Sequence, residues 1–157
     1  MNALCRAIAL TVLAASLTAC GFHLRGSDGR FNKPFQSIYL AFPQTSPLGT
    51  ELKRNLRGVD NKVVTEADQA QARFDVLSES RGKSILSLNS QGRVREYLLT
   101  YTLVFRVRDM AGAELLGPTE INLKRSITFN ETEVLAKESE EALLYRDMQT
   151  DMVQQIM

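Results

Sequence analysis

The sequence predicts an α+β domain: two helices packed on one face of a four-stranded, mainly antiparallel sheet, in the order β-α-β-β-β-α. Three patterns carry this expectation. Between Glu96 and Arg108 apolar and polar residues alternate with period two, the mark of a strand with one buried face. Two segments, 46–58 and 133–157, place apolar residues at helical spacing. Turn sequences at Asn89–Gly92 and Asp109–Gly112 join extended stretches tightly, as antiparallel neighbours require.

The elements follow in order. Ser37–Phe42 (SIYLAF) is rich in β-branched and aromatic residues and stops at Pro43, which reads as a first strand. In SPLGTELKRNLRG, Ser46 is the N-cap and Pro47 the first helical residue. Leu48, Leu52 and Leu56 recur every four positions, and Gly58 ends the helix. Residues 72–88 form an extended stretch, with a bulge or bend expected at Gly82. Along the next strand Tyr97, Leu99, Tyr101, Leu103, Phe105 and Val107 form the apolar face, against Glu96, Thr100, Thr102, Arg106 and Arg108. Ile121, Leu123, Ile127 and Phe129 share one parity on a further strand, whose start Pro118 confines to an edge or an irregular stretch. From Glu133 to Met157 there is neither glycine nor proline, and Leu144, Tyr145, Met148, Met152 and Ile156 form a helical stripe.

Residues 1–19 differ from the rest. Arg6 precedes the uncharged run Ala7–Leu17, too short for the roughly twenty residues of a membrane span but matching the apolar core of a signal peptide. The run leads into Leu17-Thr18-Ala19-Cys20, which resembles the lipobox of bacterial lipoproteins. In such proteins Cys20 would receive a thioether-linked diacylglycerol, cleavage would follow Ala19, and the new amino terminus would be acylated. Gly21 rather than Asp after the cysteine favours the outer membrane, with the domain on the periplasmic side. Cys5 falls in the segment removed, so the mature chain has one cysteine and no intramolecular disulfide. Two or more acyl chains anchor stably where one does not, since each buried methylene contributes about 0.8 kcal/mol. The expected organisation is a signal peptide over 1–19, a lipidated tether over 20–34 and one domain over 35–157.

The whole chain has 19 Lys and Arg against 18 Asp and Glu; removing Arg6 leaves 18 against 18. No global basic field exists to attract nucleic acid. The lone histidine, His23, lies in the tether and finds no nucleophile–base arrangement, no zinc ligand set and no phosphate-binding glycine motif beside it. Neither catalysis nor a cofactor is expected. Glu138, Glu140 and Glu141 read as a solvated helical face. The cations carry more information. Arg93 and Arg95 follow the Asn89–Gly92 turn, Arg106 and Arg108 end the same strand, and Lys137 lies in the first turns of the last helix. Arg125, beside Lys124, occupies the apolar parity of its strand, so its charge must snorkel or meet an anion. Together these residues could grip phosphates or carboxylates.

The stretch Cys20-Gly-Phe-His-Leu-Arg25 resembles the start of mature proteins of the LptE family, the lipopolysaccharide-assembly lipoproteins of Gram-negative outer membranes. PLGTELKRNL, GRVREYLLTYTL, KRSITFNE and VLAKESEEALLYRDM are similar to family segments in the same order, across the mature chain. The resemblance implies two helices on a four-stranded sheet and a partner, the outer-membrane β-barrel LptD, in whose lumen such a protein sits as a plug. It also implies that the protein assists barrel assembly and helps deliver lipopolysaccharide to the outer leaflet. Family contacts to lipid A are basic residues near the turn between the middle strands and in the LAK segment. Lys137 matches the second. At the turn the tip is Ser90, and the cations are displaced to Arg93 and Arg95. A second function class is a purely structural chaperone of the barrel, without lipopolysaccharide binding.

Overall fold

The computed structural model describes residues 35–58 and 62–157. The expected signal peptide over 1–19, the expected acylation site Cys20 and the expected tether over 20–34 lie outside the described residues. Five strands form one sheet in the order β2-β1-β3-β4-β5. They are β1 (Ser37–Ala41), β2 (Lys62–Val64), β3 (Ala72–Leu88), β4 (Val94–Asp109) and β5 (Glu114–Thr128), with helices α1 (Pro47–Arg57) and α2 (Val134–Ile156). β3, β4 and β5 form an antiparallel meander, and β1 runs parallel to both its neighbours.

The α+β class holds, and the sheet has one strand more than the sequence predicts. β2 spans three residues, too few to display a period, and pairs only with β1. The chain then steps across β1 to start β3 on its other side. The Gln71 N–H anchors this step by donating to the Ser37 carbonyl at 3.2 Å and to Ser37 Oγ at 3.0 Å.

Capping fixes α1. Ser46 Oγ accepts from the Gly49 N–H at 3.1 Å, Pro47 opens the first turn, and Arg54 and Arg57 lie in the last, where cations favour the dipole. Leu48 and Leu52 are fully buried against the sheet. α2 supplies Met148, Met152 and Val153 to the same core, with Leu144, Tyr145 and Ile156 at its margin. The covered face of β4 is the predicted one: Leu99, Tyr101, Leu103, Phe105 and Val107 are all buried. Phe74 continues it onto β3, its ring stacked 4.7 Å from Phe105 and 5.5 Å from Phe42.

The irregularity expected at Gly82 lies elsewhere. β3 runs through Gly82 in register with Thr100, while the register slips between Val76 and Ser78, leaving Leu77 as the extra residue. A bulge needs no glycine when the extra residue keeps negative φ. Gly82 serves another purpose: a Cβ there would lie 2.6 Å from Thr100 Oγ1, and its carbonyl accepts from the Tyr145 hydroxyl at 2.7 Å. β5 is an edge strand, and its pairing with β4 shifts near Pro118, as a proline without an N–H to donate requires.

The glycine inside α1 and the glycine that caps its end should respond differently to alanine. A Cβ on Gly49 would meet Phe42 Cβ at 2.6 Å, whereas on Gly58 the nearest atom among the described residues would be the Asn55 carbonyl oxygen at 3.4 Å. Gly49→Ala should therefore cost about 1–3 kcal/mol through overpacking, and Gly58→Ala should leave stability within about 0.5 kcal/mol. Urea unfolding of both variants reads the difference.

Candidate functional site

The β3–β4 turn is closed by the Gly92 N–H donating to the Asn89 carbonyl at 3.0 Å, with Gly92 at φ 76°. Asn89 Oδ1 also accepts from the backbone of Gln91 and Arg93 at 2.9 Å, which holds the start of β4 against the turn. Arg93 projects from this end and pairs with Glu131 at 3.2 Å, both side chains about 60% exposed. The Arg95 carbonyl accepts from the Phe129 N–H at 2.8 Å, so the end of β5 lies beside it. Lys137 reaches back from α2 to Thr128 Oγ1 at 3.1 Å and Glu140 at 2.8 Å. Three of the expected cations thus meet at one end of the sheet, where the β3–β4 hairpin, the end of β5 and the start of α2 converge. Exposed apolar side chains share that end: Ile85, Leu86 and Leu88 on the hairpin, and Leu135, 80% exposed, on α2.

Arg125 stands apart, opposite Leu99 and three ladder positions from Thr128, or about 10 Å along β5. As its parity requires, it meets an anion: Asp151 of α2 at 2.5 Å. Arg106 and Arg108 lie on the opposite face of the sheet. With Arg73 they surround Asp75, which is only 8% exposed and accepts at 2.6 Å from both Arg73 Nε and Arg108 Nη2. Burial pushes the Asp75 carboxyl up, but hydrogen bonds from Arg73 and Arg108 outweigh it and hold the carboxyl below its ordinary 3.8.

Two further cations, Arg81 and Lys83, line the seam that leads from the convergent end along α2. The slip at Leu77 sets Arg81 and Lys83 opposite Tyr101 and Leu99, on the helix-covered side of the sheet. Lys83 pairs with Glu141, lies 4.4 Å from the Tyr97 ring centroid, and shares with Lys137 a small cavity floored by Tyr97 and Phe129. The hydrogen bond from Lys83 to Glu141 raises the lysine pKa above its usual 10.5, so the amine stays charged at neutral pH. Arg81 lies 4.6 Å from the centroid of the Tyr101 ring and 5.5 Å from that of Tyr145. The Tyr101 hydroxyl donates to Glu79 at 2.6 Å; burial above all pushes its pKa up to about 12. The signal was present as alternate charged residues at 79, 81 and 83, but a regular count of parity from Phe74 assigns them to the solvent face. Among the described residues, no group of three His, Cys, Asp or Glu side chains is placed to hold a metal ion.

Solved structures similar to this one include bacterial lipoproteins. The solution structure of lipoprotein B from Nitrosomonas europaea superposes with a TM-score of 0.72 at 40% identity, over 87% of each chain. The crystal structure of rare lipoprotein B from Shewanella oneidensis gives 0.67 at 26% identity, over 76% of this chain and 89% of that one. The fold is thus that of a bacterial lipoprotein domain. The profile of the LptE family, described as lipopolysaccharide-assembly, matches residues 35–157, and the chain belongs to that family. It is 30% identical over 149 residues to the LPS-assembly lipoprotein LptE of Pectobacterium atrosepticum, covering 92% of this chain and 78% of that protein. Members of the family are non-enzymatic assembly lipoproteins.

Two titrations test the electrostatics. A raised folded pKa means that the Tyr101 contribution is complete below about pH 10 and is lost as pH rises towards 12. Ultraviolet difference titration should show a late tyrosine step near pH 12, absent in Tyr101→Phe. Asp75 has the opposite sign: its contribution is present above the unfolded value near 3.8 and is lost as pH falls through the lower folded value. Asp75→Asn should cost about 2 kcal/mol at neutral pH, with the gap to the parent protein closing below pH 3.8 in urea unfolding.

Proposed function

We propose that this chain is a lipid-anchored outer-membrane lipoprotein, facing the periplasm, that plugs and helps assemble an LptD-like β-barrel and binds lipopolysaccharide during its delivery to the outer leaflet. Its lipid anchor is Cys20, in the Leu-Thr-Ala-Cys lipobox. The observation that carries the binding reading is the meeting of Arg93, Arg95 and Lys137 with exposed Ile85, Leu86, Leu88 and Leu135 at one end of the sheet. Phosphorylated glycolipids combine anionic groups with acyl chains, and a surface that interleaves cations with bare aliphatic side chains matches both halves. The ion pair of Arg93 with Glu131 is exposed on both sides and therefore weak, and the Glu140 carboxylate that meets the more buried Lys137 is itself exposed, so an incoming phosphate can exchange for either carboxylate. Arg125, tied to Asp151, lies at the margin of this surface.

The same ion pairs favour a second reading, in which the cations only brace the hairpin and the protein is a structural chaperone of the barrel. Binding separates the two. Arg93/Arg95/Lys137→Ala should weaken lipopolysaccharide binding at least tenfold in a direct assay while the circular dichroism spectrum is unchanged. Parent binding no tighter than the triple variant would leave the chaperone reading. Affinity purification of the full chain from outer membranes should recover a β-barrel protein, and its absence would count against both readings.

A further inference from the structure

The seam between α2 and β3 contains a groove of about 740 Å³ beside the surface just described, floored by Tyr145 and lined by Arg81, Lys83, Arg146 and Gln149. Arg81 is held there without an acidic partner. Its Nη2 donates to Tyr101 Oη at 3.4 Å and to Gln149 Oε1 at 3.3 Å, and its plane lies near two tyrosine rings. Neither Arg81 nor Arg146 forms an ion pair among the described residues. The nearby acids are engaged: Glu79 accepts from the Tyr101 hydroxyl, and Glu141 is neutralised by Lys83. Glu138 also lines the groove, so the three cations outnumber the two carboxylates there.

A guanidinium positioned by aromatic faces has already lost much of its rotamer freedom. The donors of Nε and Nη1, which have no partner among the described residues, can then bind an oxyanion without further ordering cost. We infer that this groove is a second anion subsite, which takes one phosphate of a bis-phosphorylated glycolipid while the Lys137 cluster takes the other. The inference rests on the binding reading above. Lys83 lines both the groove and the cavity that holds Lys137, so the two subsites are continuous. From Lys137 to Tyr145 is eight residues, roughly 12 Å of helix, a span of the order of a disaccharide phosphorylated at both ends.

The experiment compares two probes in dodecyl maltoside micelles with the full chain: bis-phosphorylated lipid A and the same lipid A lacking one phosphate. The parent protein should prefer the bis-phosphorylated form at least tenfold. Arg81→Gln should abolish that preference while leaving affinity for the mono-phosphorylated form within twofold, and Arg81→Lys should restore only part of it. Arg146→Gln, on an exposed helical position, should reduce the preference without any effect on folding. A preference unchanged in both Arg81→Gln and Arg146→Gln overturns the inference and leaves the Lys137 surface standing. Failure of the parent to bind either lipid overturns both. Inorganic phosphate that binds the groove, with no preference between the two lipids, would make it a free-anion site and overturn the glycolipid subsite.

Discussion

One extra residue, Leu77, decides which side chains of β3 meet the helices. Before it, Ala72 and Phe74 face the core; after it, Glu79, Arg81, Lys83 and Ile85 take that side. Had the strand continued in register, Ser80, Gly82 and Ser84 would lie under α2, and the charges would lie on the open face. The slip changes the chemistry of the seam from apolar to charged. The last buried apolar residue of β3 is Phe74, and farther along the strand α2 meets it through polar contacts: Tyr145 to the Gly82 carbonyl, Lys83 to Glu141, and Arg81 to Gln149. The same residue that ends the buried apolar face of β3 therefore opens the groove.

The two faces of the sheet use their arginines differently. On the open face Arg73, Arg106 and Arg108 are committed to the nearly buried Asp75, a closed arrangement in which each carboxylate oxygen is already occupied. On the helix-covered face Arg81 is held by aromatic rings and neutral acceptors and has no acidic partner among the described residues. Burial of the anion makes the first cluster a part of the fold. Exposure of the cation makes the second available to an outside anion.

Much of this was legible in the residues. The alternation along β4 is a faithful record of burial because one face is covered continuously from Leu99 to Val107. The caps and leucine spacing of α1 are local chemistry and need no tertiary information. The convergence of Arg93, Arg95 and Lys137 followed from topology once the hairpin and the last helix were placed. The misses share one cause. β2 has only three residues and owes its strand state to its partner, and the bulge at Leu77 is a property of pairing that no side chain announces. Gly82 looked like the irregular point because glycine is permissive, whereas it is there to admit Thr100 and leave its carbonyl open to Tyr145. Arg81 and Lys83 were hidden by that same shift.

From Leu77 to Leu88 every residue of β3 is exposed except the half-buried Gly82 and Ser87, and beyond Arg95 the hairpin of β3 and β4 has no third strand beside it. A two-stranded tip draws its stability from its own ladder and a few polar ties, and such tips are marginal in isolation. Amide exchange should thus be graded along the hairpin, slow beside Phe74 and fast toward Asn89, with no need for the domain to unfold. The end that bears the cations and bare leucines can then change its twist or spread to suit a bulky amphiphile at low energetic cost, while Leu48, Leu52 and the methionines of α2 keep the rest of the domain rigid.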